Sequence, residues 1–162
     1  MRLPVLPLAA GVLVAAAGTA GLVRGIAAQT PPAAGPIVVT GAYVRAPVPP
    51  SRTAAAYFTL TNTSTSSDRL LSVQTSAGAA AVLHTVNADG SMSAAAGGVL
   101  VHPHSTLVLA TGEGHVMIQH VYGTLAPGQR VELELDFEHA GAVHVVAPVI
   151  AVGAPAPGAG HR

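Results

Sequence analysis

The sequence predicts an all-β domain, a sandwich or small Greek-key barrel, from three observations. No stretch after residue 30 holds a helical period. Short apolar segments rich in β-branched residues recur instead, and turn-forming clusters such as NTSTSSD, NADG, APGQ and HAG separate them. Many short strands at such spacing are the signature of sandwiches and small barrels.

The elements follow in order. Arg2 precedes an apolar run from Leu3 to Val23, Arg24 follows it, and Ala27-Ala28 offers small residues for cleavage. A run of about 20 apolar residues also suffices for a membrane anchor. Residues 1–28 are therefore read as a signal peptide or an N-terminal membrane anchor; either implies a periplasmic or other extracytoplasmic location. Residues 29–36, QTPPAAGP, read as a linker. The folded domain is expected over 37–150. Residues 151–162 lack bulky apolar side chains and are expected to form a flexible tail.

Within the domain the expected strands are IVVTGAYVR (37–45), AAYFTLTN (55–62), RLLSVQT (69–75), AAVLHTV (80–86), TLVLA (106–110), HVMIQHVY (115–122), VELELDFE (131–138) and VHVVAPVI (143–150). VELELDFE is the clearest. Val131, Leu133, Leu135 and Phe137 alternate with Glu132, Glu134, Asp136 and Glu138, so one face is dry and the other wet. Regularly spaced acids on a strand read as solvated surface, not as a catalytic pair.

Composition narrows the function. Formal net charge is zero and the chain contains no lysine, so nucleic acid is not an expected partner. No cysteine is present. That excludes disulfides, thiolate zinc sites, iron–sulfur clusters, thiolate copper centres and a cysteine nucleophile. Histidine, by contrast, occurs eight times, and apart from Met1 the only methionines are Met92 and Met117.

Those residue types meet in GEGHVMIQHV, residues 112–121. On a strand, His115 and Met117 share a face about 6.6 Å apart, close enough to converge on one ion. Thioether and imidazole together suit Cu(I), and neither is lost to disulfide formation in an oxidising compartment. His84 lies on an expected neighbouring strand, and Met92 follows the NADG turn. The competing explanation is structural, because methionine commonly fills cores. VHPHS adds a second i, i+2 pair, His102 and His104, able to bind Cu(II) or Zn(II) or to serve as a polar turn. His120 is expected to face away from His115, His139 to be solvated, and His144 to lie on a strand face.

The order of these segments resembles the periplasmic copper chaperones called PCu(A)C. AAAYFTLTNTSTSSDRLLSV is similar to their AAAYxTLxNxxxxxDRL segment, and LAPGQRVELELDFEHAGAVHVVAPV to their LxxGxxVxLTLxFxxAGxVxVxVPV ending. The resemblance spans about residues 38 to 149. It implies a cupredoxin-like β-barrel without the cupredoxin cysteine, binding Cu(I) at its surface. It also implies a copper-accepting partner, such as a cytochrome c oxidase subunit or another copper chaperone. His84, His115 and Met117 match the family's ligand positions. The family's DGVMxM turn reads DGSMSA here, so Met92 stands at the first Met and Ala94 at the usual ligand. Two possibilities follow: Met92 substitutes, or three residues hold the ion.

Two further readings stand beside the carrier. One is a zinc or copper protein built on histidines alone, and the other a metal-free secreted β-sandwich that binds a partner. No general base or nucleophile accompanies the pair, which favours a carrier over an enzyme.

Overall fold

The computed structural model describes residues 36–157. The leader at 1–28, the linker up to residue 35, and residues 158–162 with His161 lie outside the described residues.

Strands are the regular elements of the described chain: β1 (Ile37–Arg45), β2 (Ala54–Asn62), β3 (Asp68–Thr75), β4 (Gly78–Val86), β5 (Met92–Ala94), β6 (Val99–Val101), β7 (Thr106–Leu109), β8 (Gly114–Val121), β9 (Arg130–Phe137) and β10 (Gly141–Ile150). They form one sheet in the order β5-β4-β8-β2-β1-β10-β9-β3-β6, with β7 on β2. β1 and β10 pair in parallel, and the other pairings are antiparallel. The sheet curls, so that β3 and β4, consecutive in the chain but near opposite ends of the order, lie against each other. The all-β expectation holds, and the curled sheet is a half-barrel.

One edge of β2 serves two partners. Ala54–Ala56 pair with β8, while Phe58–Thr61 pair with β7. This arrangement lays β8 beside the alanines of AAAYF. The core fills the inside of the curl with Val44, Phe58, Leu60, Leu70, Val116, Ile118, Leu133 and Leu135. β9 follows its alternation, burying Val131, Leu133, Leu135 and Phe137. On its outer face Asp136 accepts from Ser72 Oγ at 2.8 Å and Gln74 Nε2 at 2.9 Å.

Three details depart from the sequence reading. β5 and β6 are three residues each, too short to show a period. In β8 the alternation breaks at His120, whose φ is +50°. Val121 is thereby buried, and Tyr122 is exposed rather than packed with Val116 and Ile118. The chain after β10 is gripped by Arg45, whose Nη1 donates to the carbonyls of Ala151 at 3.2 Å, Val152 at 2.6 Å and Ala154 at 3.0 Å.

Two buried polar residues, Asn62 and Asp68, fix the loops. Asn62 donates to the carbonyls of Ser66 and Val101 and accepts from Ser64. Asp68 accepts from the backbone N–H groups of Arg69, His139 and Ala140, and so holds the β9–β10 turn. His139, read as merely solvated, lies with Nδ1 3.4 Å from that carboxylate. Burial pushes the Asp68 carboxyl up, but these donors outweigh it and hold it below its ordinary value of 3.8.

A depressed carboxylate favours folding only while ionised. Asp68 therefore adds stability above about pH 4 that is lost as pH falls through its folded-state value. Asp68→Asn should destabilise the fold by about 1–3 kcal/mol at neutral pH. It should also flatten the acid limb of the stability profile, measured by urea unfolding across pH.

Candidate metal centre

The sequence-predicted residues meet through sheet register. β4 and β8 pair with His84 opposite His115 and Val82 opposite Met117. On the other edge of β4, Ala94 stands opposite His84 and Met92 opposite Val86. β2 continues the sheet, with Ala55 opposite Met117 and Ala56 opposite Val116. Leu83, Val116, Ile118 and Ala56 are buried in the core. The alternate residues His84, His115 and Met117 therefore share the outer face, where each is half-buried.

Glycine permits this close pairing at both ends of the β4–β8 ladder. A Cβ on Gly114 would meet Leu109 Cδ2 at 2.9 Å and the His84 carbonyl at 3.0 Å. One on Gly78 would meet the Gln119 carbonyl at 2.6 Å.

The two imidazoles stack, with ring centroids 5.3 Å apart and planes inclined at 28°. Tyr57 lies against the far side of His115 at 6.0 Å, and Tyr43 stacks on Tyr57 at 5.1 Å. The Arg45 guanidinium closes the row, 5.5 Å from the Tyr43 centroid. Burial, and then the neighbouring His84, pull the His115 pKa below its ordinary 6.5. His115 is thus held neutral, the form that ligates metals. His84 Nδ1 is buried with no hydrogen-bond partner. An unsatisfied buried nitrogen costs about 1–3 kcal/mol, which a bound cation would relieve. Met117 Sδ is 3.7 Å from Gln119 Nε2.

Met92 does not join this group. It shares the outer face, but lies on the opposite diagonal of His84 from Met117. By register the two methionines stand about 13 Å apart along the strands and about 10 Å across them. Ala94, in line with His84 and His115, contributes only a methyl group.

The other histidines stay apart. His102 and His104 are exposed in the β6–β7 turn, with His104 at φ +48°. His120 is exposed, and His144 lies on the outer face of β10, Nδ1 3.6 Å from Glu134 Oε2. Among the described residues no three of His, Cys, Asp and Glu gather into a metal-holding group. Among the described residues a histidine-only centre finds no third ligand. Tyr43, Tyr57, Gln119 and Arg45 escaped the sequence reading, although the AAAYF segment carried Tyr57 within the resemblance.

Gly114→Ala should destabilise the fold by about 1–3 kcal/mol, since the methyl group meets backbone at the His84 carbonyl. Thermal unfolding should show the loss, and the same change at Gly112, where a Cβ meets nothing within 4 Å, should lose only what its φ of +91° imposes.

Comparisons with known proteins identify the family and the fold. The family model described as lipoprotein LpqE-like matches residues 37–149. No curated protein matches the chain. Among solved structures, the copper-bound PCuAC domain from PmoF2 is 26% identical, covers 74% of this chain and 96% of its own, and superposes with a TM-score of 0.64. The Cu(I) form of DR1885 from Deinococcus radiodurans is 32% identical over 76% of this chain and 85% of its own, with a TM-score of 0.55. Its apo form is 28% identical, covering 90% and 97%, with a TM-score of 0.58. These neighbours carry the same cupredoxin-like fold, and with its model match spanning β1 to β10 the chain belongs to the LpqE-like family of PCuAC domains.

Proposed function

We propose that the chain is an extracytoplasmic copper carrier that holds Cu(I) on its outer sheet face through His84, His115 and Met117. One observation carries this reading: a cross-strand histidine pair with an unpartnered buried Nδ1, beside a thioether on the same face. Two imidazoles and a thioether form a soft donor set that suits Cu(I) better than harder ions. The copper-bound state of the PmoF2 domain and the Cu(I) state of DR1885 support it.

Met92 is outside the ligand set in this arrangement, and Ala94 leaves a fourth place open. An ion held by three half-exposed soft ligands is open to replacement one ligand at a time, which suits delivery rather than catalysis. The recipient is a copper-accepting protein, a cytochrome c oxidase subunit or another copper chaperone. The apolar leader at 1–28 supports a periplasmic setting, either as a cleaved signal or as an anchor.

Anaerobic Cu(I) titration against a competing chromophoric chelator tests the reading. The wild-type chain should hold one Cu(I). Met117→Leu should weaken it at least about tenfold, and Met92→Leu by less than about twofold. Ala94→Met, which adds a thioether in line with His84, should tighten it about tenfold. A wild-type chain that retains no Cu(I) sinks the proposal. Equal losses from both leucine variants would instead bring Met92 into the set.

A further inference from the structure

Beside the metal residues the outer face carries a trench of about 290 Å³, and its origin is visible in the register. Arg45, Ala55 and Met117 are successive partners in one row across β1, β2 and β8. The alanine between two long side chains leaves a gap about 10 Å wide between the strand axes of Arg45 and Met117. Val48 and Val152, 57% and 51% exposed, line it together with His115 and Met117.

The charge of the trench is one-sided. No acidic residue lines it. Arg45 has no carboxylate within ion-pair distance among the described residues, where the only arginine in such a pair is Arg69 with Glu138. Its Nη1 is fixed by the carbonyls of Ala151, Val152 and Ala154, while Nε and Nη2 have no hydrogen-bond acceptor among the described residues. A held cation therefore lines the same trench as His115 and Met117.

We propose that this trench receives a segment of the copper acceptor in which a thioether and a carboxylate lie two residues apart, Met-x-Asp or Met-x-Glu. The inference rests on the Cu(I) site proposed above and names the chemistry of its partner. Extended backbone puts such a pair on one side about 6.6 Å apart, and side-chain reach covers the remainder of the gap. The sulfur reaches copper from the β2 side, over Ala55, as a further donor beside Met117, and the carboxylate pairs with Arg45. Transfer is then an exchange of neutral donors around Cu(I), with no change of oxidation state. The valines shield the exchange from water, and Arg45 selects the acceptor by charge.

Blocked pentapeptides with Met-Gly-Asp, Met-Gly-Lys and Leu-Gly-Asp at their centres test this on the full Cu(I)-loaded chain, by anaerobic calorimetry at low salt. The Met-Gly-Asp peptide should bind about tenfold tighter than either of the others. Arg45→Gln should abolish its advantage over Met-Gly-Lys, and Arg45→Lys should restore part of it. Ala55→Leu, which fills the floor, should weaken binding of the Met-Gly-Asp peptide at least about tenfold. Equal binding of the two methionine peptides, or a preference that survives Arg45→Gln, overturns the inference. So does a Leu-Gly-Asp peptide that binds as well as Met-Gly-Asp, which would mean an anion site without copper contact. Chelator titration of each variant separates the two levels. Retained Cu(I) without peptide discrimination defeats this inference alone, whereas a wild type that retains no Cu(I) defeats the copper reading with it.

Discussion

The antiparallel register of β4 on β8 is the constraint on which the site depends. It sets His84 opposite His115 and, by the two-residue repeat of a strand, sends Met117 to the same side. A slip of one residue would carry a histidine into the core and Val116 or Leu83 into water. Burial of Leu83, Val116 and Ile118 opposes that slip from inside. Gly78 and Gly114 allow the strands to approach at both ends, where a side chain would strike backbone. The face that carries His84, His115 and Met117 is thus specified by apolar residues on the opposite side of the sheet.

The second feature is the row of rings across β4, β8, β2 and β1. His115 is clasped between His84 and Tyr57, and Tyr57 is braced by Tyr43 beneath Arg45. Burying an imidazole on a surface sheet has a cost, since it disfavours the charged form. For a cation site that cost is useful. A histidine held neutral does not have to release a proton before it binds, and a ring clasped on both faces loses little freedom on ligation. On the outer face of β2 the small side chain of Ala55 leaves room beside Met117.

Much of this was legible in the sequence where a local signal sufficed. The alternation of VELELDFE identified β9 and its buried side, and HVM put a histidine and a methionine on one face. What escaped lies between strands. The ladder of Tyr43, Tyr57, His115 and His84 joins residues far apart in the chain, and no local period encodes it. β5 and β6 are too short to display one. The change of phase at His120 arises from a left-handed backbone that no residue type there announces. The segment after β10 looked loose because it lacks apolar bulk, yet it is held through its carbonyls, and backbone acceptors leave no trace in composition.

On the proposed Cu(I) reading, the position of Ala94 gains its meaning from that same geometry. Opposite His84, a thioether would complete a four-ligand enclosure of the ion; a methyl group leaves it open on the β5 side. Met92 does not repair this, because a shift of two residues along a strand preserves the face but moves the side chain about 6.6 Å away. An enclosed soft site favours retention, whereas an open one lowers the barrier to an incoming donor at the expense of affinity. On the proposed Cu(I) reading, a half-exposed His/His/Met set favours that exchange over retention. Storage would need the fourth ligand; hand-over does not.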